Sequence, residues 1–284
     1  MTDSIRIAAW NVNSLKVRLP HVLRWLQAEE KKSQPIDALC LQELKLTDDK
    51  YPHQELEEAG YLSLAAGQKT YNGVAIIVRK AALVPMSADL ETTFLKPVRN
   101  IPGHADEQQR ILAATVCFKG VPPIRLISAY FPNGQSPDSD KFVYKLGWLK
   151  ALEVWLKDEL NQNSRLALLG DFNIAPSDLD VYDPSKWIGQ NLVSPPEREA
   201  FQRLLELGLT DSFRMFEQAP KTFSWWDYRM MGFRRNAGMR IDHILLSDAL
   251  KKQCRGSIVD KEPRTWEQPS DHAPVIAVIK KDII

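Results

Sequence analysis

Carboxylates stand at the ends of several apolar runs in this chain, and their positions suggest chemistry before any fold is considered. Glu43 closes residues 36–43, and Asp171 closes a run of aliphatic residues in Gly170-Asp171-Phe172-Asn173. Asp242 opens a later run, and Ser270-Asp271-His272 immediately precedes the last one. A carboxylate at the mouth of a buried strand is costly to desolvate unless something positive meets it. Several such groups meeting at one end of a sandwich would form a site for a hard divalent cation. Oxygen donors without a Cys/His cluster favour Mg²⁺, with Mn²⁺ as a substitute, over Zn²⁺. Taken singly, each signal also has a plain structural meaning. Glu43 reads as a solvated strand cap, Asp171/Asn173 and Asn11/Asn13 as Asx turns, and His272 as a satisfied surface histidine. Their shared place at strand ends, spread over the whole chain, favours one common site.

A second chemical signal is the aromatic-dense stretch Thr222-Phe223-Ser224-Trp225-Trp226-Asp227-Tyr228-Arg229, followed by Arg234, Arg235 and Arg240 with no acidic residue between Tyr228 and Ile241. Arginines meet phosphates and rings meet bases or sugar faces, so the stretch suits contact with nucleic acid. A solvated face, or ordinary hairpin and core packing for Ile241, is the competing interpretation.

The elements that must hold these residues follow from the hydrophobic pattern. Residues 5–11, 36–43, 73–80, 111–119, 124–131, 166–171, 241–246 and 274–279 read as strands, with 124–131 and 166–171 continuous enough to be central. Helices are expected over 16–32, over about 136–160, where Phe142, Leu146, Leu149, Leu152, Leu156 and Leu160 share a face, and from the Ser194-Pro195-Pro196-Glu197 capping box to Gly208. Strands outnumber helices, so the expected fold is α/β, with two mixed β-sheets packed face to face and flanked by helices. One domain over residues 1–284 is expected.

Composition narrows the partners. The chain has 284 residues, 44% hydrophobic, with 37 Lys+Arg against 36 Asp+Glu. The apolar share excludes a mainly disordered chain, and no apolar run reaches the ~20 residues of a membrane helix. A net charge of +1 gives no global field for holding nucleic acid, so such a partner must meet a local patch. Cys40, Cys117 and Cys254 read as free thiols, and no secretory apolar stretch precedes the first strand, so a cytoplasmic location is expected.

The ordered set Trp10-Asn11-Val12-Asn13, Leu41-Gln42-Glu43-Leu44-Lys45, Asn72-Gly73-Val74-Ala75-Ile76, Ser128-Ala129-Tyr130-Phe131-Pro132-Asn133-Gly134, Gly170-Asp171-Phe172-Asn173-Ile174-Ala175-Pro176, Gly238-Met239-Arg240-Ile241-Asp242-His243 and Ser270-Asp271-His272-Ala273-Pro274 resembles the exonuclease III family of apurinic/apyrimidinic endonucleases. The resemblance spans residues 5 to about 280. It implies a four-layer α/β sandwich of the endonuclease/exonuclease/phosphatase superfamily and Mg²⁺-dependent hydrolysis of DNA phosphodiesters in base excision repair. The implied activities are cleavage 5′ to abasic sites, 3′–5′ exonuclease and 3′-end cleaning. The implied partner of this monomer is double-stranded DNA with abasic sites or blocked 3′ ends. By the same resemblance Glu43 is a metal ligand with Asn11 beside it, and Asp271 a further acid near the metal. Asp171 orients or deprotonates the attacking water, Asn173 binds that water or a phosphate oxygen, Tyr130 meets the scissile phosphate, and His272 pairs with Asp242. Arg110 is implied to reach backbone phosphates, with Lys141 and Lys145 doing likewise. Trp225, Met239 and Ile241 would wall a small pocket for a flipped abasic sugar, and Arg229 belongs to the DNA face. Met230, Met231 and Met239 depart from the family pattern and leave the balance of activities open. Other phosphoesterases of the superfamily, acting on inositol phosphates or lipids, share the acidic motifs but would not need the arginine-aromatic stretch. A relative that only binds would have at least one of Glu43, Asp171, Asn173, Asp242 or His272 replaced, and none is.

Overall fold

A computed structural model describes residues 3–84 and 90–281. The elements run β1 (Ser4–Asn11), α1 (Leu15–Lys31), β2 (Ala38–Gln42), α2 (His53–Glu58), β3 (Tyr61–Ala66), β4 (Val74–Arg79), α3 (Leu90–Thr93), β5 (Leu95–Arg99), β6 (Ile111–Val116), β7 (Ile124–Tyr130), α4 (Asp140–Gln162), β8 (Leu166–Asp171), α5 (Pro195–Glu206), β9 (Leu209–Asp211), β10 (Asp242–Ser247), α6 (Asp248–Gln253), β11 (Cys254–Val259) and β12 (Val275–Lys280). They form two six-stranded sheets, ordered β11-β12-β1-β2-β4-β3 and β5-β6-β7-β8-β10-β9. Each sheet has one parallel pair, β1–β2 and β7–β8, and the long helices α1 and α4 are the crossovers those pairs require.

Alternation along the strands divides the core into layers. Ile5, Ile7 and Ala9 of β1 face the seam between the sheets, where they meet Leu126, Leu169, Ile244 and Ala277. Ala8 and Trp10, one residue out of phase, pack outward with Val22, Trp25 and Leu26 of α1. On the far side Leu149, Leu152 and Leu156 of α4 cover Ile127 and Leu168. The result is the expected helix–sheet–sheet–helix order. Strands buried on both faces explain the continuous apolar runs.

Helix α4 starts at Asp140 rather than near 136, because Ser139 is its cap and accepts from the Phe142 amide. Its buried face holds Phe142, Leu149, Leu152 and Leu156 as read, but Leu146 and Leu160 are only partly buried, and Trp148 and Trp155 share the apolar work. The capping box of α5, Ser194 with Glu197, forms as expected. Strand β2 stops one residue early, since Glu43 turns into the left-handed region at φ 54°. At Gly170, φ is 148°, and a Cβ there would lie 1.9 Å from the Ala129 carbonyl oxygen, so glycine permits the close approach of β7 to β8 directly before Asp171. No helix among the described residues is long and apolar enough to cross a membrane.

Leu126 is fully buried in the seam among apolar side chains and reports on this packing. Leu126→Ala is expected to lower the unfolding free energy by about 2–5 kcal/mol, read from urea denaturation, while Michaelis parameters at 25 °C stay unchanged.

Candidate active site

The strand order brings the acidic motifs together at one end of the seam. Asp171, last in β8, lies directly opposite Asp242, first in β10, in antiparallel register. His272, on the approach to β12, stands between them. Its Nδ1 is 2.9 Å from an Asp242 oxygen and its Nε2 is 3.7 Å from Asp171. Trp10 Nε1 donates to the His272 carbonyl at 3.1 Å, and the Ser270 hydroxyl donates to the Asn11 carbonyl at 2.6 Å, so the end of β1 grips this segment at two points. Asn11 at the end of β1 donates its amide to Asp171 and to Glu43, each at 2.9 Å. The Asx turns also form: Asn13 N–H donates to Asn11 Oδ1, and Asn173 N–H to Asp171 Oδ1. Here the turn-forming and the site-forming readings of the same residues are both correct.

Burial would depress the basicity of His272, but Asp242 and Asp171 outweigh it and push the imidazole up to about 10. Burial raises Asp171 to about 7; His272 opposes that rise and Asp242 adds to it. Burial also raises the Tyr130 phenol well above its usual value, with Glu43 and Asp171 adding to the effect, so it stays a protonated donor.

Among the described residues, Glu43, Asp171 and His272 present one ligand atom each within 4.8 Å of one another, a possible metal site. Asn11 shows the carboxylates an N–H₂, and its Oδ1 accepts from the Asn13 amide, so in the metal-free site it spaces the two acids. Asp271 falls outside the cluster: its oxygens accept from Asn13 and from Trp225 Nε1 at 2.9 and 3.0 Å, and although burial opposes it, the His272 charge, helped by these two bonds, holds it below the usual carboxylate range. Lys45, unassigned in the sequence, places its ammonium 2.8 Å from Glu43 and also on Asn13. Its signal was its place two residues after Glu43, in a loop where both residues have positive φ.

Beside the cluster, Asn173 donates to the Phe131 carbonyl and accepts from Asn133 Nδ2 at 2.8 Å. A 670 Å³ groove opens from there, lined by Tyr130, Arg110, Asn133, Lys141, Tyr144 and Tyr71 among others. Arg110 lies 5.0 Å from the centre of the Tyr130 ring and donates to Gln108, Tyr144 and the Tyr130 carbonyl. On the other flank Trp225 and Met239 line a 140 Å³ cleft with Trp187, Lys186 and Arg235. Met239 and Ile241 are almost fully buried, packed with Val181 and Leu192, so they back the cleft more than they face solvent. Arg229 is exposed and paired with Asp227, and Met230 and Met231 project beside it at 78% and 62% exposure.

Two expected phosphate contacts are corrected. Lys145 has 0% exposure, and its ammonium is consumed by Glu197 and two backbone carbonyls. Arg240 is equally buried, paired with Asp180 and Asp211 and donating to His243, whose imidazole burial lowers to about 4, with Arg240 adding to the fall. Both sit on faces of their elements that turn inward, a fact that charge and spacing alone do not reveal.

Two mixed sheets with an acid–imidazole cluster at one end of their seam define a phosphoesterase sandwich. Residues 8–272 match the Endonuclease/Exonuclease/phosphatase family. The chain is 36% identical to exodeoxyribonuclease III of Haemophilus influenzae, over 97% of this chain and all of that one. Among solved structures, a 3′ phosphatase from Neisseria bound to a product DNA hairpin is 45% identical with a TM-score of 0.86, covering 97% of this chain and 99% of that one. An AP endonuclease from Archaeoglobus fulgidus is 32% identical with a TM-score of 0.85, covering 97% and 99%. This chain belongs to the exonuclease III/AP endonuclease family of the endonuclease/exonuclease/phosphatase superfamily, and it is a phosphodiesterase of that family.

The raised imidazole carries a linkage consequence. A folded-state value near 10 means that protonated His272 contributes stability fully present below about pH 6.5 and lost as pH rises through 10. In metal-free protein His272 should stay protonated through pH 8 by histidine ¹⁵N NMR. In Asp242→Asn it should titrate at least two pH units lower, at a shift of about 1.4 kcal/mol per unit. An unchanged titration would show that Asp242 does not hold the proton.

Proposed function

We propose that the chain is a Mg²⁺-dependent DNA repair phosphodiesterase that removes 3′-phosphates and blocking groups, degrades 3′ ends in the 3′–5′ direction, and incises 5′ to abasic sites. One observation carries the reading: Asp171 of the Asp171–His272–Asp242 cluster pairs in register with Tyr130 of β7, and Tyr130 lines the groove that also holds Arg110 and Lys141. The relatives' 3′ phosphatase and AP endonuclease activities support both kinds of substrate. The 140 Å³ cleft beside Trp225 supports the abasic reading, being well below the roughly 300–1,000 Å³ that takes a drug-sized ligand, and therefore suited to a sugar without its base.

The donor set fits a hard cation, because Glu43 offers carboxylate oxygens, Asp171 adds negative charge beside it, and protonated His272 has no lone pair to offer. When bound there, Mg²⁺ or Mn²⁺ would neutralise charge on the scissile phosphate as a Lewis acid. The remaining work belongs to the chain. Asp171, pushed up to about 7, is part ionised at neutral pH and takes the proton of the attacking water. His272, held positive by Asp242, and the Tyr130 phenol donate to phosphate oxygens as charge builds. Asn173 orients the water beside Asp171.

Asp171→Asn should lower kcat by about 10²–10⁴-fold and abolish the rising limb of the pH–rate profile, whereas His272→Asn should lower kcat but keep that limb. Loss of the limb only in His272→Asn would reverse the assignment of the base. With EDTA, cleavage of duplexes bearing a 3′-phosphate, a recessed 3′ end or an abasic analogue should stop; EDTA-resistant cleavage of all three would end the metal reading.

Binding to duplex DNA should weaken steeply with salt. Arg110→Ala and Lys141→Ala should each flatten the log–log slope by about 0.9, measured by fluorescence anisotropy, and unchanged slopes would remove both from the phosphate face.

A further inference from the structure

Lys145 is left without the role that its charge suggested, and its surroundings supply another. The Nζ has three hydrogens and three acceptors: the Asn173 carbonyl at 2.7 Å, the Asn133 carbonyl at 3.2 Å, and Glu197. No donor is left over and none is exposed. Glu197 is likewise saturated, accepting from the Leu192 amide and from both the amide and hydroxyl of Ser194. The ammonium is therefore a node joining three segments that share no secondary structure: the loop after β7, the loop after β8, and the capped start of α5.

Two of those segments carry side chains of the site. Asn173 has a left-handed backbone at φ 49°, which costs energy for a residue other than glycine and needs its peptide planes held from outside. Its N–H is fixed by Asp171, its side chain by Asn133 and Phe131, and its carbonyl by Lys145. Asn133, whose amide steers the Asn173 side chain, hangs its own carbonyl on the same ammonium. A buried pair made only for stability could be replaced by apolar groups at little cost, but apolar groups could not supply donors to these two carbonyls.

We infer that Lys145 is a positioning residue that sets Asn173 and Asn133 for phosphodiester cleavage through their main-chain carbonyls. The inference rests on the reading of Asn173 as part of the reacting centre. Misplacement of a reacting group by about 1 Å costs on the order of 100-fold in rate, and that is the size of effect expected.

The test separates positioning from folding. Lys145→Met/Glu197→Met and Lys145→Met/Glu197→Gln both remove the buried charges in balance, so neither strands an ion. Thermal melts identify the variant that keeps the parent's Tm. In that variant kcat on a 3′-phosphate duplex should fall about 100-fold with KM unchanged, matching the loss in Asn173→Ala. A neutral pair with the parent's Tm and the parent's kcat overturns the proposal. So does a loss that appears in KM alone, full activity in Asn173→Ala, or unfolding of both pairs, which would make the bond a scaffold. Failure of the parent protein to cleave any DNA substrate would instead sink the functional reading, a separate result.

Discussion

Everything at the active end of the seam depends on one imidazolium placed between two buried carboxylates. Strand pairing sets Asp171 and Asp242 directly opposite each other, where two like charges have no water to separate them. Charges about 4 Å apart interact by about 4 kcal/mol at an effective dielectric of 20, so this corner of the fold tolerates two acids only with a cation in the middle. His272 is that cation, and its backbone is tied to Trp10 and, through Ser270, to Asn11. Electrostatics at the site and the closing of one sheet on the other are thus the same event. The arrangement also separates roles among similar groups, leaving one carboxylate able to exchange a proton near neutrality while its neighbour holds the histidine charged.

The near-zero net charge hides how the basic residues are distributed. Arg240, Lys145, Arg125 and Arg6 are buried and each is matched by an interior acid. Arg110 and Lys141 line the groove, and Arg229 and Arg235 rim the other flank. Internal pairs cancel in the total, so the net charge does not report the basic side chains beside the site.

The eight strands read from the sequence are the eight inner strands of the two sheets, and the four that escaped notice, β3, β5, β9 and β11, are the four edges. Inner strands are buried on both faces and so appear as unbroken apolar runs. Edge strands are not bound to that pattern: β5 is a half-exposed LKPVR with a proline, β9 has three residues, and β11 is interrupted at a bulge near Gly256. The acids of the site were legible because a charged residue ending a buried strand is chemically expensive. Lys145 and Arg240 were misread because a helix or loop can turn a cation inward to meet an acid 52 or 60 positions away, and no local pattern records that meeting. Lys45 and Asn133 lay inside the recognised motifs, yet their roles came only from distances.

The pairing of β1 with β12 has a consequence in time. Asn11 ends β1 and His272 leads into β12; the two strands are neighbours in space, but these residues lie 261 positions apart along the chain. During synthesis, which proceeds from the amino terminus, the first sheet lacks one of its inner strands, and the two acids on β8 and β10 lack their cation, until that last segment emerges. Contacts of such long sequence separation also form late and slowly. Until the residues around His272 and β12 have been made, the acids of β8 and β10 face each other without their counter-charge, so the site cannot be assembled from the earlier part of the chain alone.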